Sequence, residues 1–326
     1  MRTFFTILKN DYQRTIPRVV TVLVITIITL ASIMLAVYIT RIQQVKGHIV
    51  FVSNATVVST PKTSKHLDIT VSAEKPPRSE LIKQKYDAYV SVDDNGEYNI
   101  ETLHNNDYKK MITQLLKYPD ANVNDGKAER GVGVNIIGFM MMFLLMFSFS
   151  NLFVFADDKE QGQLRRIAAA PASFGGYLAA HCVYCLSLLL PEYILLVILK
   201  FCGWNIGFSL LQYAGLISVL SFLGISVALL LHTLIKKPDN ANMLGNSIMV
   251  LTSVLAGSFY SFSKNNAILD IIIKLLPQKE LMNFVQFLQN GTALEHIGSI
   301  LYVIAFSIVL FVLSCSILRK MYVKKV

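Results

Sequence analysis

The chain has 326 residues, a formal net charge of +9, 53% hydrophobic residues and only 16% charged ones. Soluble domains carry about 25% charged residues, so this composition excludes an ordinary soluble enzyme and indicates a protein that resides in lipid. The positive excess sits in short loops and at the two ends, while acidic and basic residues nearly balance in the one long polar segment. That distribution excludes a nucleic-acid-binding surface.

Residues 1–18 place Phe4, Phe5, Leu8 and Tyr12 on one helical face and Arg2, Lys9 and Arg14 around the other, the pattern of a helix lying along a lipid surface. Six apolar stretches follow, at 19–40, 134–156, 177–199, 208–235, 241–262 and 297–318. Each approaches or exceeds the roughly 20 residues that cross a ~30 Å hydrocarbon core. The first is longer than a signal-peptide core and has no small-residue cleavage site, so it is expected to remain as an anchor. Lysine and arginine gather before the first span, between the second and third, between the fourth and fifth, and after the sixth. By the positive-inside rule both termini and the 157–177 connection are expected to be cytoplasmic.

Residues 41–133 then lie outside. "HLDITVSAE" and "YDAYVSVDDNGEYNIETL" alternate apolar with polar residues about Asn95 and Gly96, predicting strands and a hairpin. Tyr108, Met111, Ile112, Leu115 and Leu116 recur at helical spacing. A small extracellular α+β insert is expected, serving as a spacer or in substrate capture.

Sites for chemistry inside the spans are sparse. Cys182, Cys185, Cys202 and Cys315 lie in or beside spans and suggest no disulfide framework. Cys182 and Cys185 read as packing residues more readily than as metal ligands. His181 and His232 fall on different helices, too scattered to name a reaction. Glu192, after Pro191, is the one acid well inside a span, and such a group needs water or a partner. It reads as a polar spot on a transport pathway or subunit seam, or as a protonated acid at a proline-loosened helix end. No catalytic, cofactor-binding or metal-binding residues are expected.

The connection "DDKEQGQLRRIAAAPASFGGY", 157–177, has order of its own. Gln163, Leu164, Ile167 and Ala168 share a helical face; Asp157, Asp158 and Glu160 occupy the first turn of the expected helix and Arg165 and Arg166 the last, as suits the helix dipole. Pro171 ends it. A glycine inside such a helix, Gly162, suggests close approach of another backbone. The segment is either a helix at the lipid headgroups or a rigid knob offered to a soluble partner.

The run Glu160, Gly162, Leu164, Arg165, Arg166, Pro171 and Ser173 resembles the E-x-G-[TQ]-L-[RE]-R…P-x-S stretch after the second span in permease subunits of type-2 ATP-binding-cassette (ABC) exporters. Gln163 stands where threonine is common, and the glycine-rich run after the fifth span is reduced to "LAGSFYSF". The resemblance implies an all-α membrane fold, a six-helix bundle with the α+β insert between the first two helices. It implies an elbow helix at 1–18, a coupling helix at 157–170 seated in a separate ABC ATPase through Glu160, Gly162, Leu164, Arg165, Arg166 and Pro171, and outer re-entrant helices at 266–290, broken at Pro277. The implied partners are that ATPase, a second permease subunit and membrane lipid. The chain would be a transport subunit rather than an enzyme, exporting a drug, antimicrobial peptide, lipid or similar cargo across a bacterial plasma membrane. ATP would be bound by the partner, since no G-x-x-x-x-G-K-[ST] phosphate cradle occurs in the sequence. An ion- or proton-coupled carrier and an intramembrane enzyme are the other readings; the former usually shows several buried acids or inverted repeats, the latter a convergent set of titratable groups.

Overall fold

The computed structural model describes residues 2–44, 47–52, 67–83, 85–92, 98–103, 106–118, 130–169, 174–259 and 267–323. They form two units, Met1–Val37 with Arg130–Val326, and Tyr38–Glu129. The chain opens with α1 (Arg2–Thr15), a 3-10 turn around Pro17 (Ile16–Arg18), and α2 (Val19–Gln44). Along α2, Val20, Leu23, Val24 and Ile27 are exposed while Ile33, Ala36 and Val37 are buried, as befits a helix with one face toward lipid.

The second unit holds β1 (Gly47–Val52), β2 (Leu67–Ser72), α3 (Arg78–Ile82), β3 (Ala88–Val92), β4 (Tyr98–Thr102) and α4 (Asn106–Lys117). The strand order is β2-β1-β3-β4, with β1 parallel to both neighbours and β3 antiparallel to β4, Val92 facing Tyr98. On one face Ile49, Phe51, Val90 and Ile100 pack against Ile112, Leu115 and Leu116 of α4. On the other, Val50 and Tyr89 meet Leu81 of α3. The expected strands and helix are present; the turn residues Asn95 and Gly96 lie outside the described residues. Two elements, β1 and α3, were not read from the sequence. Covered on both faces, β1 runs apolar from Ile49 to Val52 and lacks the alternation that marks a half-exposed strand.

The membrane unit continues with α5 (Val132–Ser150), α6 (Phe153–Glu160), α7 (Gln163–Ala169), α8 (Phe174–Ser187), α9 (Leu190–Phe201), α10 (Leu210–Leu234), α11 (Pro238–Leu255), α12 (Ala267–Leu275), α13 (Pro277–Gln289) and α14 (Ile297–Leu318). A wider helical turn, Arg319–Val323, follows. At the centre is α5, packed against α10, α11 and α13. Glycines permit the close crossings: a methyl group on Gly138 would strike the Ser258 carbonyl, and one on Gly245 the Phe149 ring. Leu276 separates α12 from α13, which opens on Pro277, and Pro191 follows the break between α8 and α9.

Among the described residues five helical stretches are long and apolar enough to cross a membrane: Phe4–Thr40, Val132–Glu160, Phe174–Phe201, Leu210–Leu234 and Ile297–Tyr322. The expected sixth, 241–262, corresponds to α11, which ends at Leu255 and does not meet that standard. Asp239, Asn240, Asn242 and Asn246 make its first half polar.

Candidate functional site

The segment between α5 and α8 is assembled from its buried side. Phe153, Val154, Phe155 and Ala156 bury the first turn of α6 in the core. Three consecutive charged residues follow. Successive side chains on a helix diverge by about 100°, so Asp157, Asp158 and Lys159 reach different neighbours. Buried Asp158 accepts hydrogen bonds from Arg14 Nη1 at 2.6 Å and from the Tyr177 hydroxyl at 2.6 Å. Asp157 pairs with Arg18 at 3.3 Å and with Arg14 at 3.8 Å. The Arg18 guanidinium also lies 4.3 Å from the centre of the Phe153 ring, a cation–π arrangement.

Lys159 turns instead to the end of α10. Its ammonium donates to the carbonyls of His232 and, at 2.8 and 2.9 Å, of Thr233 and Ile235. Terminal carbonyls of a helix lack intrahelical donors and carry the negative end of its dipole. A cation there satisfies both.

Beside this cluster α1 is fastened to α8. Asp11 and His181, each about 1% exposed, stand 2.8 Å apart. The contact is between Asp11 Oδ2 and His181 Nδ1 and lacks the alignment of a hydrogen bond. The Thr15 and Tyr184 hydroxyls share a hydrogen bond, as do those of Tyr12 and Ser187. Arg14, Arg18, Asp157, Gln161 and Gln163 line a shallow groove of about 390 Å³ between α1 and the α6–α7 segment.

The structure revises the single helix expected over 157–170. Gly162, with φ of +68°, breaks it into α6 and α7. Among the described residues, its own chain neighbours aside, nothing lies within 4 Å of where a Gly162 side chain would start, and the positive φ of the turn by itself favours glycine. Asp157, Asp158 and Glu160 consequently fall in the last turns of α6, where the dipole disfavours acids. Arg14, Arg18 and Tyr177 offset that for the two aspartates. Glu160, Gly162, Arg165 and Arg166 are exposed, and Leu164 is buried. Among the described residues Glu160, Arg165 and Arg166 form no ion pair. On the buried side α7 packs against the turn Arg319–Val323. Pro171 and Ser173 lie outside the described residues.

Glu192 takes no part in this cluster. It is fully buried in the first turn of α9, with neither carboxylate oxygen hydrogen-bonded among the described residues. The four cysteines are free, and no metal-binding group of side chains occurs among the described residues. Sequence reasoning missed Asp11, Arg14, Asp158, Tyr177 and His181 as one assembly. The one available signal was that Asp11 is an acid in an otherwise basic and apolar amphipathic helix.

No curated protein matches the chain. A family profile described as ABC-2 family transporter protein matches residues 17–315, from the turn after α1 to near the end of α14. The match takes in the insert, the charged α6–α7 segment and nearly all of the membrane helices, and on it the chain belongs to the ABC-2 transporter family.

Proposed function

We propose that this chain is the permease subunit of an ABC exporter, that it forms the transport pathway with a second permease subunit, and that a separate ATPase docks on the tip formed by the end of α6 and by α7. One observation carries the reading. Asp157, Asp158, Lys159 and Leu164 are spent on holding the segment to its own chain, while Glu160, Arg165 and Arg166 are exposed and form no ion pair among the described residues. A helix merely resting on lipid has no need of a fixed acid at its tip, whereas a docking knob does. ATP-driven closure of two ATPases would press on two such tips, one per permease subunit, and swing the attached helices as rigid bodies.

Further support comes from charge. Arg14, Arg18, Lys159, Arg165, Arg166 and Arg319 gather at one end of the membrane unit, through the contacts of α1 with α6 and of α7 with the last turn. The positive-inside rule makes that end cytoplasmic, along with both termini. We take α11 as the sixth crossing despite its polar first half, because it touches α6 at one end and ends beside Arg130, just before α5, at the other. Arg130 donates there to the carbonyls of Gly257 and, at 3.2 Å, of Ser258. Gln289 of α13 accepts from the Gly131 N–H at 2.7 Å, which sets α13 at the outer end in this topology. The cargo classes that fit the family resemblance are drugs, antimicrobial peptides and lipids.

The test is affinity purification of the tagged full-length chain from cells of its native source. A soluble ATPase with a phosphate-binding loop should accompany it in near-equal amount, and the complex, but not the permease freed of it, should hydrolyse ATP. ATP hydrolysis by the pure chain alone would contradict the proposal.

A further inference from the structure

We infer that Lys159 is the positioning residue that makes the α10–α11 turn move with the docking tip. The inference deepens the proposed function and rests on it. Three features of the structure support it.

The tip joins its own span, within the helical stretch Val132–Glu160, through an irregular turn. The helical run through α5 is interrupted at Asn151 and Leu152, where the Asn151 side chain donates back to the Phe147 carbonyl at 2.9 Å. A push on α6 would be partly absorbed at that joint. By contrast α10 is an uninterrupted helix of 25 residues, closed at its far end by a capping box between Ser209 and Gln212. Its near end is the part that Lys159 holds. The ammonium binds the carbonyls of His232, Thr233 and Ile235, and only Lys236 and Lys237 separate Ile235 from α11. One side chain next to the tip residue Glu160 therefore fixes the turn joining α10 to α11. The neighbouring acids do not compete for it, because Asp157 and Asp158 are engaged by Arg14, Arg18 and Tyr177. In this arrangement α6 hands motion at the tip to α10, and α10 passes it to α5 and α14, against which it packs.

The experiment places spin labels at Gln161→Cys and Lys236→Cys in a chain whose four native cysteines are replaced, reconstituted in lipid nanodiscs with the ATPase. The distance between the labels is measured by pulsed electron resonance without nucleotide and after trapping with ATP and vanadate. The inference expects one narrow distance, unchanged between the two states. Lys159→Met should broaden it while the ATPase still co-purifies, and Lys159→Arg should restore it. A wild-type distance that shifts on trapping, or a Lys159→Met distribution as narrow as wild type, would overturn the inference. If Lys159→Met does not insert, the wild-type comparison decides alone. If no ATPase binds the wild-type chain, the proposed function fails; the width of the Lys159→Met distribution in the permease alone then still supports or overturns the tether.

Discussion

Arg14 and Asp158 meet at 2.6 Å across 144 residues of sequence, tying the first helix to the segment after the second span. Asp158 is buried and has no other cation among the described residues, whereas the companion pair of Arg18 with Asp157 is 3.3 Å long with the arginine side chain half exposed. Burial decides which pair matters. Removing one partner of a buried pair costs about 3 kcal/mol or more, while an exposed pair is worth up to about 1 kcal/mol. Arg14→Gln should therefore lower the thermal unfolding midpoint in detergent clearly more than Arg18→Gln. Equal midpoints for the two variants would show that the Asp158 contact does not organise this end of the protein.

Gly162 adopts a backbone conformation that a side chain disfavours by about 1 kcal/mol. Among the described residues nothing crowds it, so backbone strain is the expected source of a defect within the chain. Gly162→Ala should weaken ATPase docking by about fivefold to tenfold, and Gly162→Asn, which tolerates the left-handed region, should weaken it less. Binding measured by titration of the ATPase onto nanodisc-held permease checks the order; an alanine variant as tight as wild type would remove the role assigned to the turn.

Packing of α11 on α5 can be tested without reference to transport. A methyl group at Gly245 would meet the Phe149 ring at 2.0 to 2.7 Å, whereas one at Gly215 in α10 would meet nothing within 4 Å among the described residues. Overpacking of a filled core costs about 1–3 kcal/mol, and an unobstructed glycine in a helix gains up to about 1 kcal/mol on becoming alanine. Gly245→Ala should lower the unfolding midpoint and Gly215→Ala should hold or raise it.

Orientation is open to chemical labelling. In a chain lacking its native cysteines, Ser72→Cys in β2 should react with an impermeant maleimide added to intact cells. Gln163→Cys in α7 should react only after permeabilisation. Labelling of residue 163 from outside would invert the topology and remove α7 from the reach of any cytoplasmic ATPase.

Much of this organisation is legible in the residues because lipid imposes a coarse rule, a long apolar run for each crossing. The five qualifying spans were visible in this way. The weaker standing of α11 is visible too, in Asp239, Asn240, Asn242 and Asn246. In the insert, the β3–β4 hairpin was readable from alternation, whereas "GHIVFV" was not, since a strand covered on both faces has no period-two signal. The break at Gly162 was hidden because the helical spacing of Leu164, Ile167 and Ala168 begins directly after it, and only the backbone angle reveals the turn. The Asp11–His181 and Arg14–Asp158 pairs bring together positions 170 and 144 residues apart, which periodicity within one segment does not encode.

The most direct measurement of the central claim is co-purification of the ATPase, with its hydrolysis rate in the complex, for Glu160→Lys and Arg166→Glu at matched expression. Both side chains are exposed and form no ion pair among the described residues, so insertion and abundance should stay at wild-type levels. At a protein contact, a charged pair that loses its partner costs about 2 kcal/mol or more, which corresponds to more than a tenfold loss of affinity. The account predicts that both variants lose the ATPase and its stimulated hydrolysis. Resting on lipid alone, the segment would tolerate Glu160→Lys, which adds attraction to anionic headgroups. Wild-type ATPase capture and hydrolysis in both variants would contradict docking at this tip.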